Sequence, residues 1–313
     1  MLNINTICIF VSFVLLKHSN VHGMCVSQDD GKFSCTNGIL PDPHGNKIIT
    51  VKFTSNIKFT ISNGSFESET WKQVERLELT KSPGVRVTVY LMSYAFAQLI
   101  QLKTLCLNIM TSVQKDSFVG LINLTILNLT DTLRMTASDL RDIFASNDSL
   151  PNLKTLVLDK AGDLSTVFSF NSALITTLSR RPIKSLYLQS IGVVYDIRAL
   201  SGACGSLEYI NMTDSRVSKY DRHRYQYDGI CEKLKVIDIS GMQIGSTTWF
   251  ITNRLENLHL NLTNMRDVTP FRNVESIIND RFWKSFSEDT SINQNQINFF
   301  WPAILSNAQS VTI

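Results

Sequence analysis

Leu124-Thr125-Ile126-Leu127-Asn128-Leu129 and Leu153-Lys154-Thr155-Leu156-Val157-Leu158 carry the phrase that decides the fold: an apolar residue, two others, an apolar residue, one other, an apolar residue. Outward from these two copies the phrase recurs as Val74-Leu77-Leu79, Leu102-Leu105-Leu107, Ile183-Leu186-Leu188, Leu207-Ile210-Met212, Leu234-Ile237-Ile239 and Leu255-Leu258-Leu260. The second apolar residue is taken as the central position of each copy. Successive central positions lie 28, 22, 29, 30, 24, 27 and 21 residues apart. Recurrence at such a period marks a stack of similar units. A weaker ninth copy, Ile48-Val51-Phe53, precedes them by 26.

The last two apolar residues of each phrase are two apart, so both lie on one face of a short strand and the residue between them lies on the other. One such unit cannot close a core. Stacked units join their strands into a parallel sheet and bury a continuous spine of Leu and Ile. Val193, Val217, Ile244 and Met265, each seven places after its central position, are expected to close that core from the return side.

Composition agrees with a chain held together by apolar burial. The 313 residues are 43% hydrophobic, 9% aromatic and 18% charged, enough to bury a sizeable core. Glycine (14) and proline (7) are too few for a low-complexity or collagen-like chain, and six cysteines are too sparse for a small disulfide scaffold. Net charge is +3, and residues 1–23 contribute only Lys17 to it, leaving 29 basic against 27 acidic side chains. A polybasic nucleic-acid protein is not indicated.

Residues 1–23 read as a secretory signal peptide. Ile7 to Leu16 is apolar except for Ser12, the next four residues are polar, and Val21-His22-Gly23 places short side chains at the −3 and −1 positions of a cut after Gly23. Ten apolar residues fall short of the ~20 of a spanning helix, and no later stretch is long and apolar enough to span. The expected location is extracellular, secreted or in the outer part of a plasma-membrane receptor, where disulfides persist.

These repeats resemble the leucine-rich repeat family, and within it the ectodomains of Toll-like receptors. The resemblance covers residues 46–265. It implies an α/β leucine-rich repeat solenoid: curved, a parallel β-sheet on the concave face, an irregular or short-helical convex side. One departure matters. The family places Asn five residues after the central Leu, and here that position holds Asn56 once, then Ser82, Met110, Thr132, Ala161, Ile191, Ser215, Met242 and Thr263. Ser and Thr can take over part of the bonding, but Met and Ile cannot, so irregular backbone or water is expected at those turns. The resemblance further implies that residues 24–45 form an amino-terminal cap closed by a Cys25–Cys35 bond.

Cys204 and Cys231 each lie six residues before a central Ile and should stack about one strand spacing, ~5 Å, apart. Either they are bonded or they are two buried thiols, since Leu99, Leu121 and Leu150 fill the same place elsewhere. Cys106, between Leu105 and Leu107, is expected to face out of the sheet as an odd thiol available to a partner. N-x-Ser/Thr sequons stand at Asn63, Asn123, Asn128, Asn147, Asn211 and Asn261. Asn128 and Asn211 should project from the concave sheet, so glycans there would direct binding to a rim, flank or convex loop.

The outward strip is expected to be Lys52, Glu78, Cys106, Asn128, Val157, Tyr187, Asn211, Asp238 and His259. No sign of charge dominates it, which suits a protein or microbial ligand and not the phosphates of nucleic acid. The candidate binding loop is 219–228, with Tyr220, Arg222, His223, Arg224, Tyr225 and Tyr227 as contacts, because Tyr and Arg carry much of the energy of protein interfaces. No catalytic motif, zinc-ligand spacing or phosphate loop occurs, so no enzyme activity, metal or cofactor is expected.

Residues 266–313 read as degenerate repeats. Ala308 to Ile313 again resembles a repeat strand, with its central position 53 residues after Leu258, about two repeats on. The chain stops inside it, which fits a piece of a larger receptor and makes that raw edge, or Cys106, a candidate for dimerisation. The resemblance implies an extracellular pattern-recognition protein of innate immunity; the alternative is a secreted leucine-rich repeat adhesion or matrix protein binding host proteins.

Overall fold

The computed structural model describes residues 25–131, 137–160, 178–190, 205–211, 213–217, 233, 236–238, 243–244, 258–261 and 308–312. Alternation of buried and outward residues makes strands of the repeat phrases, and the return segments bring each strand back parallel to the last. In chain order the strands are β1 (Cys25–Asp29), β2 (Lys32–Cys35), β3 (Ile48–Phe53), β4 (Ile57–Ile61), β5 (Arg76–Lys81), β6 (Val87–Leu91), β7 (Thr104–Leu107), β8 (Met110–Val113) and β9 (Ile126–Thr130). After helix α1 (Ala137–Phe144) follow β10 (Thr155–Asp159), β11 (Ser185–Gln189), β12 (Tyr209–Asn211), β13 (Arg216–Val217), β14 (Val236–Asp238), β15 (Gln243–Ile244), β16 (Leu258–Asn261) and β17 (Ala308–Thr312).

The main sheet runs β1-β2-β3-β5-β7-β9-β10-β11-β12-β14-β16-β17. It is parallel except for the β1/β2 hairpin that heads it. Leu77, Leu105, Leu127, Leu156, Leu186, Ile210 and Ile237 stand in one register line, as the repeat phrase requires. Those from Leu77 to Ile210 are buried. Each such side chain contributes about 1.5–3 kcal/mol by leaving water.

The two end copies sit differently from the expectation. Ile49, not Val51, pairs with Leu77, and Leu260, not Leu258, pairs with Ile237. A slip of two residues keeps every side chain on its own face, so the alternation that reveals a strand does not fix its register. Ile49, Val51 and Phe53 are all buried. The outward row therefore begins at Thr50 rather than Lys52 and reaches Asn261 rather than His259. At the carboxyl end Val311 pairs directly with Leu260, so β17 neighbours β16 in the sheet.

The return side of the early repeats carries a second sheet, β4-β6-β8, with two short 3-10 turns, Asn63–Phe66 and Trp71–Gln73, after β4. It sends Ile61, Val87, Val89, Leu91 and Val113 into the same core. Val217 and Ile244 pair in the small sheet β13-β15, whereas Val193 and Met265 lie outside the described residues. Beneath the strands Phe66, Phe96 and Phe118 stack ring on ring, with centroids 5.7 and 5.5 Å apart. Trp71 meets Phe66 edge-on at 4.8 Å.

The missing asparagines are replaced in two ways. With Ile49 central the ladder position of the first repeat is Thr54, whose hydroxyl donates to the Cys35 carbonyl at 3.2 Å, while Asn56 accepts the Arg86 N–H at 2.7 Å two residues further on. Ser215, fully buried, donates its hydroxyl to the Leu188 carbonyl. Elsewhere the backbone does the work: Asp131, Lys160 and Ser190, each four residues past a central position, adopt left-handed conformations with φ of 58, 49 and 50°. Their N–H groups then donate to the carbonyls of Asp159, Gln189 and Thr213 in the following repeat, each at 3.0 Å. Irregular backbone is thus the answer at these turns, and it satisfies the groups an Asn ladder would have served.

The cap closes the other end. Cys25 and Cys35 face each other across the β1/β2 hairpin and are bonded, with Cα atoms 4.1 Å apart. Gly31 turns the hairpin at φ +74°, and a Cβ there would lie 2.0 Å from the Ile48 carbonyl oxygen. Only glycine lets the cap approach β3 so closely, and the Gly31 carbonyl accepts the Thr50 N–H at 2.8 Å.

Candidate functional site

The face of the main sheet opposite the spine holds the outward register positions of the strands. Its middle row reads Thr50, Glu78, Cys106, Asn128, Val157, Tyr187, Asn211, Asp238 and Asn261, one residue per strand. A second row, two residues earlier in each strand, includes Arg76, Thr104, Ile126, Thr155, Ser185 and Tyr209.

Around β11 and β12 these rows form a cluster. The rings of Tyr187 and Tyr209 lie 5.0 Å apart at a tilt of 38°. The Asn211 amide nitrogen donates to the Tyr209 hydroxyl at 3.2 Å, and its oxygen accepts from Gln189 Nε2 at 3.1 Å and from the Thr213 N–H at 3.0 Å. Burial, with Tyr209 beside it, pushes the Tyr187 phenol above its ordinary range. The cluster is a fixed aromatic and carboxamide surface, uncharged at neutral pH.

Charges frame this face in pairs. Along the edge where the strands begin, Glu75 bridges Lys103 at 2.6 Å and Lys47 at 2.9 Å, across three consecutive strands. Those two ammoniums hold the Glu75 carboxyl down at about 2. On the same edge Lys184 meets Glu208 at 2.7 Å. At the opposite ends Lys81 pairs with Asp131 at 3.1 Å, and burial pushes Asp159 upward despite the nearby Lys160 and the bond from Ser190.

Cys106 corrects an expectation. It occupies an outward register position, yet it is a free thiol only 7% exposed, flanked in register by Glu78 and Asn128. Burial pushes the thiol upward, away from the reactive thiolate. The expected role in an intermolecular bond therefore finds no accessible sulfur.

The sequons divide by what their amide nitrogens do. Asn211 is 6% exposed and its nitrogen is engaged by Tyr209, so it does not project freely as the alternation implied. Asn123 is exposed, but its nitrogen donates to the Ile100 carbonyl at 2.8 Å, a bond that Asn152 repeats one unit on to Ile122. Asn63 and Asn147 are exposed. Asn128 is half-buried and its oxygen accepts from Thr130 at 2.6 Å. Asn261 stands in β16 at an outward register position.

The loop residues Tyr220, Arg222, His223, Arg224, Tyr225 and Tyr227 lie outside the described residues, as do Cys204, Cys231 and the segment 1–23. Leu99, Leu121 and Leu150, which share the repeat position of those two cysteines, are buried. Sequence reasoning missed Tyr209 as the partner of Tyr187 and Gln189 as a partner of Asn211. Their signal was present, since both fall on outward positions of the same alternation, but a single row was followed instead of the whole face. It also missed Arg181, whose buried guanidinium ties helix α1 to the following repeat. Among the described residues no group of three or more His, Cys, Asp or Glu is placed to hold a metal, and no helix is long and apolar enough to cross a membrane.

Parallel strands at a repeating register, a buried Leu and Phe spine and a disulfide-closed hairpin at one end define a leucine-rich repeat solenoid. No protein-family model matches the chain, and no curated protein matches it. Among solved structures it is similar to TLR13 in the crystal structure of a TLR13–ssRNA13 complex, at 18% identity and a TM-score of 0.46. That match covers 74% of this chain and 35% of the other, so the chain spans about a third of the length of the TLR13 chain. The repeat architecture stands on the strand register alone.

Proposed function

We propose that this chain is an extracellular ligand-recognition module, a pattern-recognition part of a Toll-like innate immune receptor. The observation that carries the reading is the open face of the main sheet. A row of chemically varied side chains runs across consecutive strands, held rigid by a spine to which those side chains contribute nothing. Such a surface can change its chemistry without disturbing its fold, as recognition requires. The cap bond between Cys25 and Cys35 supports an oxidising, exported location. The loop 219–228 remains a candidate contact, and so does a Cys204–Cys231 bond.

Exclusion of nucleic acid is not maintained. It rested on the overall charge and on one row of side chains, whereas Lys47, Lys103, Lys154 and Lys184 stand along the edge where strands begin, outside that row, three of them paired with Glu75 or Glu208. RNA therefore belongs among the ligand classes to be tested.

Two measurements test the reading. Expressed in animal cells, the chain is expected in the medium, beginning at Met24 and with Cys25 and Cys35 oxidised; retention in the cytosol with reduced thiols would sink it. Transcript sequence beyond the codon for Ile313 is expected to encode further repeats, an apolar span of about 20 residues and a signalling domain. A stop codon directly after Ile313 removes the receptor part and leaves a soluble binding protein.

A further inference from the structure

We infer that the Tyr187–Tyr209 cluster on the open face of β11 and β12 is a subsite for an uncharged, hydroxyl-rich ligand, a neutral oligosaccharide. The inference rests on reading the chain as a ligand-recognising solenoid. Three features select that chemistry. The first is aromatic: two tyrosine rings 5.0 Å apart present broad, half-exposed apolar faces, against which the C–H face of a pyranose packs as other apolar groups do. The second is polar. The Tyr209 oxygen accepts from Asn211, which leaves its own O–H to donate, and Gln189, whose nitrogen is engaged, keeps its oxygen as an acceptor. Donors and acceptors thus stand beside the rings, as a ligand of many hydroxyls requires.

The third feature is charge balance. Among the described side chains around the cluster, Lys184 is paired with Glu208 at 2.7 Å, and Asp159, at the end of β10, accepts a bond from Ser190 with Lys160 nearby. The described floor between them, Val157, Tyr187, Gln189, Tyr209 and Asn211, carries no charged side chain. The cluster is also pre-organised. Asn211 is fixed by three hydrogen bonds, one of them from the Thr213 backbone, so little side-chain freedom is lost on binding. Val157, beside Tyr187 in register, extends the apolar floor by one strand.

The test is titration calorimetry of the secreted full chain with four neutral probes: chitohexaose, laminarihexaose, mannohexaose and cellohexaose. At least one is expected to bind, with an affinity that about 0.5 M NaCl leaves within about twofold, because no ion pair forms. Tyr187→Ala is expected to weaken it about tenfold or more. Tyr209→Phe, which keeps the ring and loses the donating hydroxyl, is expected to weaken it about fivefold. Val157→Arg, which changes only the neighbouring outward position, is expected to block the floor, and it keeps the test open if Tyr187→Ala fails to fold. Binding of none of the four probes overturns the inference. So does binding that all three variants leave unchanged, or binding of poly(U) or an arginine-rich peptide that Tyr187→Ala abolishes. A chain that is exported with an oxidised cap yet binds no hexasaccharide overturns this subsite alone; a chain that is not exported overturns the reading beneath it.

Discussion

Replacing Arg181 by Leu should cost more stability than any comparable change on the surface of the solenoid. Arg181 is buried, and its guanidinium reaches back into the preceding repeat. Nη2 donates to the carbonyls of Phe144 at 3.0 Å, Ser146 at 2.8 Å and Ser149 at 2.7 Å, with Nε also donating to Ser149 at 3.0 Å. The same group lies 5.0 Å from the centre of the Phe144 ring. Burial and the neighbouring Arg180 lower its pKa to about 10, which leaves it charged at neutral pH. The charge thus sits at the carboxyl end of α1, where it opposes the partial negative charge of unsatisfied carbonyls. Leu fills the space but leaves those acceptors without this donor, at about 1–3 kcal/mol each where they stay buried. Water entering the end of the helix recovers part of that, so a net loss of about 3 kcal/mol is expected, at the lower end for breaking a buried charged set. Arg181→Lys keeps a charge and loses the fork, and should lose about half as much. Urea unfolding at neutral pH gives the total, and hydrogen exchange of the amides of Ala137–Phe144 shows whether opening is local, as a solenoid predicts. A Leu variant within about 1 kcal/mol of the parent, or equal losses in the Leu and Lys variants, would refute the reasoning.

Other consequences follow from the same geometry. Carbon-detected titration of the Glu75 carboxyl should give a midpoint near 2, moving toward 4.5 when Lys47 and Lys103 are both replaced by Met. Since the folded value lies below the unfolded one, this network stabilises the chain above pH 4.5 and is lost as pH falls from 4.5 to about 2; added salt should shrink the shift. Glycopeptide mapping of the folded, secreted chain should find glycans at Asn63 and Asn147 and none at Asn211, whose nitrogen is buried against Tyr209. A fully occupied Asn211 in folded protein contradicts the placement of that side chain. Cys106 should react with a thiol reagent far more slowly in the native chain than in urea, because it is covered and its thiol is held up by burial; equal rates in both would mean that the sheet leaves it open.

The strands were legible because each repeats one short rule, two apolar residues on one face of a strand, and eight copies in phase leave little freedom. What that rule leaves open is register. Ile49 and Val51 satisfy it equally, as do Leu258 and Leu260, and pairing with the next strand decides between them. The Phe66, Phe96 and Phe118 stack was present in the sequence but half hidden: Phe96 and Phe118 each lie nine residues before a central Leu, whereas Phe66 lies eleven before Leu77. Arg181 was illegible for another reason. A charged residue beside Arg180 and Pro182 reads as solvated loop, and only the closeness of the Phe144 and Ser149 carbonyls makes burial tolerable. The candidate site was half visible: Tyr187 and Asn211 fall on the expected row, while Tyr209 joins them only once two strands lie side by side.

Loss of the asparagine ladder and assembly of the aromatic cluster are connected. Where Asn is absent the turn passes through a left-handed residue, and the N–H groups of Lys160 and Ser190 fasten to the carbonyls of Gln189 and Thr213. Those two acceptors belong to the residues that steady Asn211: Gln189 through its amide, Thr213 through its backbone N–H. Asn211 in turn holds the Tyr209 hydroxyl. A backbone device that repairs the stacking of repeats therefore also fixes the rim of the open face. An asparagine ladder bonds along the stack through side chains turned inward, away from that face. Gln189, outward by the alternation of β11 itself, lends its carbonyl to the stack through Lys160 and its amide to Asn211.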